Sequence, residues 1–222
     1  MGNKISIIGT GLMGYPMSQN ISKKFNLKAF NRTFDRMKGL EKKEIILCKS
    51  IEQVCENSNI IISMLPDDKE VLEIVKKVSD NIQSGSVFID MSSTKVSTAI
   101  ECCNILNSVN VDFLDAPVSG GPEGARSASL AIMVGGDEKV FSDVKKVLET
   151  MGRPTLVGPN GSGQVAKLCN QIIVGVTIGA VSEAIILCEN NGVDPNKFIN
   201  AVTSGFADSK ILRNHGKRII NK

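Results

Sequence analysis

The amino-acid sequence predicts a doubly wound, mostly parallel α/β sheet domain followed by an all-helical second domain. Through residue 157, short apolar runs alternate with amphipathic ones, and such an alternation of strand and helix is typical of a parallel sheet covered on both faces. After the glycine-rich segment 158–163 the pattern changes to long helices. We therefore expect a sheet domain at residues 1–160 and the start of a helical domain at residues 161–222.

Strands are predicted where short apolar runs end at turn-forming residues. The first six, expected to be parallel, are 5–8, 27–30, 45–47, 60–63, 87–90 and 111–114. Two further strands, 131–134 and 155–157, flank an amphipathic helix and are expected to extend the sheet at its edge. In the second domain we expect a long helix ending near residue 189, a second starting near 196 and a third running from about 209 to the end of the chain.

Composition argues against several classes of function. The 222 residues carry a net charge of +3, with the cations spread along the chain, and include one Tyr and no Trp. A basic surface with interleaved aromatic residues is therefore not expected, which disfavours nucleic-acid binding. The six cysteines form no CxxC pair, a pattern typical of reduced thiols in a cytoplasmic protein. We predict no metal site.

A membrane location is also not expected. The first predicted strand begins almost at Met1 and leaves no room for a signal peptide. The apolar run 165–188 contains several polar residues, and we interpret it as too interrupted for the roughly 20 apolar residues of a membrane span. The protein is therefore predicted to act in the cytoplasm.

The first strand leads into a glycine cluster with the spacing GxGxxG, in the segment IIGTGLMG. Between a strand and a helix this spacing is typical of dinucleotide binding, because the first glycine permits a tight turn, the second lets a pyrophosphate approach the backbone, and the third lets helix and strand pack closely. The N-terminus of the helix then offers free N–H groups to the phosphates. We predict a Rossmann-type cofactor site whose loop comprises Gly9, Thr10, Gly11, Leu12, Met13 and Gly14.

The end of the second strand indicates which dinucleotide is bound. NAD-selective sites place an acidic residue here to accept from the ribose 2′-hydroxyl, whereas this chain has Asn31, Arg32 and Thr33. A guanidinium and two hydrogen-bonding side chains suit a 2′-phosphate. We therefore predict NADP in preference to NAD. The alternative is a solvated turn in which Thr33 caps the next helix.

Two later strand ends face the crevice in which such sheets bind their ligands. The first has Met64, Leu65 and Pro66, which are expected to wall the cofactor. The second has Ser92 and Ser93, which are expected to donate hydrogen bonds to it. Both segments can equally be ordinary loops.

A second glycine cluster, DAPVSGGPEGA, occupies residues 115–125 after the sixth strand. Its Ser119, Gly120 and Gly121 present successive backbone N–H groups, an arrangement that binds carboxylate or phosphate oxygens. Taken alone, the segment is as well explained by a structural turn.

One lysine, Lys167, lies near the start of the long apolar helix. Asn170 and Gln171 share its face at helical spacing. Burial of a lysine lowers its pKa toward the working range of a general acid–base, and a neighbouring amide can orient a carbonyl. The alternative is an ordinary helix lysine with its amine in solvent.

Three segments together resemble the β-hydroxyacid dehydrogenase family: IIGTGLMGYPMSQNI, DAPVSGGPEGARS and GPNGSGQVAKLCNQ, in that order along the chain. The resemblance implies that Lys167 is the general acid–base, that Ser119, Gly120 and Gly121 bind the substrate carboxylate, and that Asn170 or Gln171 helps to hold the substrate. It also implies hydride transfer between NADP(H) and a small carboxylate-bearing hydroxyacid, semialdehyde or 2-oxo acid. The segment from Lys167 to Pro195 looks closest to tartronate semialdehyde reductases.

The resemblance also implies features that the 222 residues do not contain. Family members continue through further helices that carry a lysine in a KDL motif near the nicotinamide, so we expect the helical domain to be truncated here. The full-length protein is expected to form a homodimer or homotetramer. The alternative function is a non-catalytic NADP-binding module, which Lys167 disfavours because such relatives typically lack this lysine. The 6-phosphogluconate dehydrogenases share motifs but have longer helical domains.

Overall fold

The structure, a computed structural model, describes residues 4–221. Its contacts divide the chain into two compact units, of which the first ends at Lys167 and the second begins at Leu168. We placed the boundary at residue 160, whereas the division falls inside a long helix. The first turn of that helix is hydrogen-bonded to the sheet, and this explains why the first unit extends beyond residue 160.

The first unit contains a sheet whose first six strands are parallel. These are β1 Ile5–Ile8, β2 Leu27–Phe30, β3 Ile46–Leu47, β4 Ile60–Ser63, β5 Val87–Asp90 and β6 Asp112–Asp115. Their order across the sheet is β3-β2-β1-β4-β5-β6, which is the order of doubly wound dinucleotide-binding sheets, with the ligand crevice between β1 and β4. The predicted fold class is confirmed.

Three short strands extend the sheet beyond β6. They are β7 Val118–Ser119, β8 Leu130–Gly135 and β9 Gly152–Gly158. Strand β8 is antiparallel to both β6 and β7, and β9 is parallel to β8. The predicted strands at 131–134 and 155–157 therefore lie at the edge of the sheet, as expected.

Helices cover both faces of this sheet. They are α1 Gly14–Ser22, α2 Ile51–Cys55, α3 Asp68–Ser79, α4 Val96–Asn107, α5 Gly121–Arg126 and α6 Glu138–Leu148. Several begin at residues that cap them: the Asp67 side chain accepts from Glu70 N–H at the start of α3, and Asp137 accepts from Lys139 and Val140 N–H at the start of α6. Such caps satisfy N–H groups that have no partner within the helix.

Side chains that alternate along the strands form two apolar layers, one on each face of the sheet. In β4, Ile60 and Ile62 belong to one layer and Ile61 to the other, because successive strand residues point to opposite faces. Phe88 of β5 and Phe113 of β6 stack in the second layer with ring centroids 6.4 Å apart. Burial on both faces holds the strand ends, and therefore the crevice, in place.

The second unit is helical. Helix α7 spans Ser162–Asn190 and crosses the boundary between the units, and α8 Pro195–Val202, a π-helical turn at Leu212–Gly216 and α9 Lys217–Ile220 follow it. A small core of buried residues, Val181, Ile185, Ile199 and Leu212, joins these elements. The third predicted helix is therefore present but begins with an irregular turn.

Helix α7 is more apolar than we expected. By length and composition it can cross a membrane, with a mean hydropathy of 2.0 over its most apolar window, of which 11% is buried. Our interpretation that polar residues interrupt it too strongly is therefore wrong. Length and hydropathy alone remain weak grounds for a membrane span, because a helix from the core of a soluble protein meets the same criteria.

Candidate active site

The glycine loop after β1 combines two glycines that the chain itself requires with one that it does not. Gly9 has φ +94, and a Cβ there would collide with the carbonyl oxygen of Met64. A Cβ on Gly14 would collide with the carbonyl oxygen of Gly9. A Cβ on Gly11, by contrast, would meet no protein atom within 4 Å. Packing therefore explains Gly9 and Gly14 but does not explain Gly11, which lies beside the N-terminus of α1.

Asn31 at the end of β2 fastens this loop. Its side-chain Oδ1 accepts from Thr10 N–H at 3.0 Å, and its Nδ2 donates to the carbonyl of Thr33 at 3.0 Å. The side chain therefore holds the glycine loop and the turn after β2 together. Thr33 precedes a short 3-10 turn but makes no capping hydrogen bond with its side chain, so the proposed alternative role as a cap has no support here.

Arg32 extends from the same strand end into solvent, with its side chain 82% exposed, and forms an ion pair with Glu70 in the first turn of α3. The sequence provided no signal for Glu70, because acidic residues are common in the first turn of any helix. An exposed ion pair of this kind contributes little to stability. The guanidinium is consequently accessible at the strand end where a 2′-phosphate is expected.

The two predicted serines after β5 differ in their surroundings. Ser92 is fully buried, donates to Asp90 Oδ1 at 2.6 Å and accepts from Leu65 N–H at 2.9 Å. Ser92 therefore braces the loop of Met64, Leu65 and Pro66, and its hydroxyl is committed within the protein. Ser93 is exposed and is the serine of the pair whose hydroxyl faces solvent.

Asp90 is a buried carboxylate that we did not single out. Its Oδ1 accepts from Ser63 Oγ at 2.7 Å as well as from the hydroxyl and the N–H of Ser92. Burial raises the pKa of Asp90, against the opposing effect of these hydrogen bonds. The strand register places it directly beside Asp115 of β6.

Asp115 connects the second glycine-rich motif with the third. We predicted that strand β6 ends at residue 114, whereas it includes Asp115. The Asp115 side chain accepts from Gly161 N–H at 2.7 Å and from Gln164 N–H at 3.0 Å, at the start of α7. Burial raises its pKa to about 6, although the hydrogen bonds oppose that rise.

The glycines of the third motif allow this close approach. Gly161 has φ +89, a conformation that favours glycine. A Cβ on Gly163 would lie 2.5 Å from the carbonyl oxygens of both Asp115 and Met133. The backbone of the first turn of α7 therefore packs directly against the ends of β6 and β8.

Gln164 adds a second tether to the first turn of α7. It is 1% exposed, and its Nε2 donates to the carbonyl of Ser92 at 2.9 Å while its Oε1 accepts from Thr94 N–H at 3.1 Å. Sequence reasoning missed this residue because a single glutamine after a glycine-rich turn has no pattern of its own. Its partners lie in the loop after β5.

Lys167 follows Gln164 by almost one helical turn. Its side chain is half-buried, and desolvation lowers the pKa of its amine. Among residues 4–221 its amine forms neither an ion pair nor a hydrogen bond. In the next turn of α7, Asn170 Nδ2 donates to Gln171 Oε1 at 3.0 Å.

The turn at the end of β7 is open to solvent. Gly120 and Gly121 are exposed and have φ +138 and +62, respectively. A Cβ on Gly121 would meet nothing within 4 Å, whereas one on Gly120 would lie 3.2 Å from Leu130 Cδ2. Ser119 pairs with Ala131 of β8 and is partly buried.

Comparison with known proteins agrees with this geometry. Residues 4–193 match the family described as the NAD binding domain of 6-phosphogluconate dehydrogenase. The chain is 39% identical to 2-hydroxy-3-oxopropionate reductase of Escherichia coli strain K12, covering 99% of this chain and 76% of that protein. It is 34% identical to the mitochondrial 3-hydroxyisobutyrate dehydrogenase of Drosophila melanogaster, covering 90% of this chain and 63% of that protein.

A solved structure gives the same result. The 3-hydroxyisobutyrate dehydrogenase of Mycobacterium tuberculosis, solved with L-serine, superposes with a TM-score of 0.89 at 30% identity, covering 96% of this chain and 74% of that one. The chain belongs to the β-hydroxyacid dehydrogenase family. Its relatives are named dehydrogenases and reductases, so this is an NAD(P)-dependent hydroxyacid dehydrogenase, and a non-catalytic module is disfavoured.

In this dehydrogenase, substitution of Gly14 should affect mainly stability, whereas substitution of Gly11 should affect mainly cofactor binding. Gly14→Ala should lower the free energy of unfolding by about 1–3 kcal/mol, because overpacking forces the backbone to shift. Gly11→Ala should leave the thermal midpoint of unfolding nearly unchanged but weaken NADPH binding at least tenfold, because the methyl group enters the open face of the loop. Thermal unfolding and fluorescence titration with NADPH measure the two effects. A Gly11→Ala protein that binds NADPH normally would contradict the assignment of this loop.

Proposed function

We propose that this dehydrogenase transfers hydride between NADP(H) and a small carboxylate-bearing hydroxyacid, semialdehyde or 2-oxo acid, with Lys167 as the general acid–base. The observation that carries the proposal is the half-buried amine of Lys167, whose pKa is lowered by desolvation and which has no anionic partner within the described range 4–221. A salt-bridged lysine would be held protonated. Desolvation favours the neutral amine, so an unpaired, desolvated lysine gives up and takes back a proton more readily than a lysine in water.

The residues present fit the cofactor. The open face at Gly11 and the N-terminus of α1 suit a pyrophosphate, the loop of Met64, Leu65 and Pro66 supplies an apolar wall, and exposed Ser93 supplies a hydroxyl. When bound, the nicotinamide supplies or accepts a hydride at the substrate carbon. In reduction, protonated Lys167 donates its proton to the carbonyl oxygen; in oxidation, neutral Lys167 takes the proton of the hydroxyl group.

We propose that Ser119, Gly120 and Gly121 hold the substrate carboxylate. The two glycines are exposed and have positive φ values. Because neither carries a Cβ, their backbone N–H groups are open to an anion. Asn170 or Gln171 would orient the substrate from the turn of α7 after Lys167. The mutual hydrogen bond of their amides would be exchanged for one to the substrate.

Among substrates we favour tartronate semialdehyde, which is the same compound as 2-hydroxy-3-oxopropionate, the substrate in the name of the 39% identical relative from Escherichia coli. It carries the carboxylate and the aldehyde that the proposed binding turn and Lys167 require. Cytoplasmic location and homo-oligomeric assembly stay predictions.

NADPH is proposed as the preferred cofactor because the Arg32 guanidinium is accessible beside the glycine loop and the residues just after β2, Asn31, Arg32 and Thr33, include no acidic residue. The ion pair with Glu70 leaves further guanidinium N–H donors for a phosphate, since arginine has five. Glu70 would then orient Arg32 as well as compete with the phosphate for it.

Lys167→Ala should lower kcat for tartronate semialdehyde reduction about 10²- to 10⁴-fold, the usual contribution of a general acid. Lys167→Arg should not restore activity, because a guanidinium does not release its proton in this range. Reduction by the parent should decline as pH rises through the lysine pKa and oxidation as pH falls through it. Steady-state rates in both directions measure this. Turnover by Lys167→Ala within a few-fold of the parent would overturn the proposal.

Arg32→Asp should weaken NADPH binding about 10- to 100-fold, since hydrogen bonds to a charged group contribute about 1.5–3 kcal/mol, and should improve NADH binding. Arg36→Asp removes the same charge at an exposed site of the following turn and should leave the ratio of the two affinities nearly unchanged. Calorimetric titrations with both cofactors test this. Equal affinity of the parent for NADPH and NADH would contradict the proposed preference.

Gly121→Ala should raise KM for the substrate about tenfold or more while the Kd for NADPH stays constant, because the new methyl group lies at the mouth of the carboxylate turn. Gly85→Ala is the matched control, since Gly85 also has a positive φ, +80, with nothing within 4 Å of an added Cβ, but lies in the turn before β5. Both changes should cost about 1–2 kcal/mol of stability from the left-handed conformation. An unchanged KM in Gly121→Ala would place the carboxylate elsewhere.

A further inference from the structure

We propose that Asp115 is a positioning residue, which holds the first turn of α7 against the sheet and thereby sets the location of Lys167. The inference rests on the proposed role of Lys167. Asp115 is 0% exposed, and both oxygens of its carboxylate are committed to the start of α7, one to Gly161 N–H at 2.7 Å and the other to Gln164 N–H at 3.0 Å.

These bonds replace a cap that the helix lacks locally. The residue before the helix, Gly161, has no side chain that can accept from the first N–H groups, and unsatisfied groups at a helix start are costly when buried. The acceptor comes instead from a strand residue 46 positions earlier in the chain. A cap supplied from the sheet fixes the helix to the sheet, which a local cap cannot do.

The surroundings of the carboxylate are shaped to admit it. A Cβ on Gly135 would lie 2.5 Å from Asp115 Oδ1, and a Cβ on Gly163 would lie 2.8 Å from Asp115 Oδ2. A Cβ at either position would also collide with backbone atoms, so the two glycines, in β8 and α7, leave room both for this side chain and for the close approach of α7. The close contacts at Gly135 and Gly163 hold the Asp115 carboxylate in a single position.

The fold retains this carboxylate although burial disfavours its charge. Burial raises its pKa to about 6, and the neighbouring carboxylate of Asp90 adds to the rise. Because its pKa is raised on folding, protonation of Asp115 stabilises the folded state. That stabilisation is complete below the ordinary aspartate pKa and is lost as pH rises through about 6. A buried ionised group kept against such a cost is frequently found beside a functional site.

The mechanical connection to Lys167 is short. Gln164, one of the two donors to Asp115, is almost one turn before Lys167 on the same helix, and residues at this spacing are neighbours on a helix face. Release of the first turn would therefore displace the amine of Lys167. A misplacement of about 1 Å can lower a rate 10²-fold.

A double-mutant cycle tests the proposal. Asp115→Asn keeps one oxygen that accepts a hydrogen bond and replaces the other by an NH2 group, which cannot accept from the second N–H group. The value of kcat should therefore fall about 10- to 100-fold, while the Kd for NADPH stays within about twofold. In a Lys167→Ala background the same change should have little further effect on kcat, because the group that it positions is gone. A purely structural role would lower kcat by the same factor in both backgrounds and would overturn the proposal.

Asp90→Asn is the matched control. Asp90 is equally buried and adjacent in register but bonds to Ser63 and Ser92 rather than to α7. Because Asp90 reaches α7 only indirectly, through the Ser92 carbonyl that Gln164 contacts, the effect of Asp90→Asn on kcat should depend less on Lys167 than the effect of Asp115→Asn does. If Lys167→Ala itself retains activity, the proposed function fails; if Lys167→Ala is inactive and Asp115→Asn is not impaired, only the present inference fails.

Hydrogen exchange provides a measurement that does not depend on folding of the variant. In the parent protein, the amide protons of Gly161 and Gln164 should exchange slowly because they are bonded to Asp115. Gly192 N–H lies in a turn after α7 and bonds to Glu189 at its C-terminal end, so it should exchange faster. Rapid exchange at Gly161 and Gln164 would show that the first turn is not held, and would overturn the proposal.

Discussion

The close approach of the start of α7 to the ends of β6 and β8 is the constraint on which the rest of the site depends. Gly163 brings backbone against backbone, with carbonyl oxygens of Asp115 and Met133 at 2.5 Å from where a Cβ would be. Asp115 then satisfies the helix N–H groups that this burial would otherwise leave without partners. These contacts hold the first turn of α7 against the sheet, and Lys167 follows in the next turn of the same helix.

The glycines of the three motifs have different physical roles, although they look alike in the sequence. Gly9, Gly14 and Gly163 are required because other backbone atoms occupy the space of a Cβ. A Cβ on Gly11 or Gly121 would meet nothing within 4 Å, so steric packing does not account for them, although Gly121 also has a positive φ, which favours glycine. The second group marks the surfaces that we assign to the cofactor pyrophosphate and the substrate carboxylate, and the first group builds the frame that holds those surfaces.

A buried polar network links the carboxyl ends of three neighbouring strands to the first turn of α7. Ser92 connects Asp90 to the loop of Leu65, and Gln164 connects the carbonyl of Ser92 to α7. Buried polar groups are costly unless they are hydrogen-bonded, so these residues hold one another in single positions. Ser92 and Ser93 were predicted to donate hydrogen bonds to the cofactor. The Ser92 hydroxyl is buried and bonded within this network, so the contact stays a prediction for the exposed Ser93.

The sequence by itself determined the fold class, the ranges of most strands and the three motifs, because these follow from hydrophobic periodicity and glycine spacing over a few consecutive residues. The boundary at Lys167, the pairing of Arg32 with Glu70 and the roles of Asp115 and Gln164 were decided only by the tertiary structure. Asp115 and Gly161 lie 46 residues apart, and no local pattern records which strand end a helix start will meet. Burial, which lowers the pKa of Lys167 and raises that of Asp115, exists only once the sheet and helix have packed.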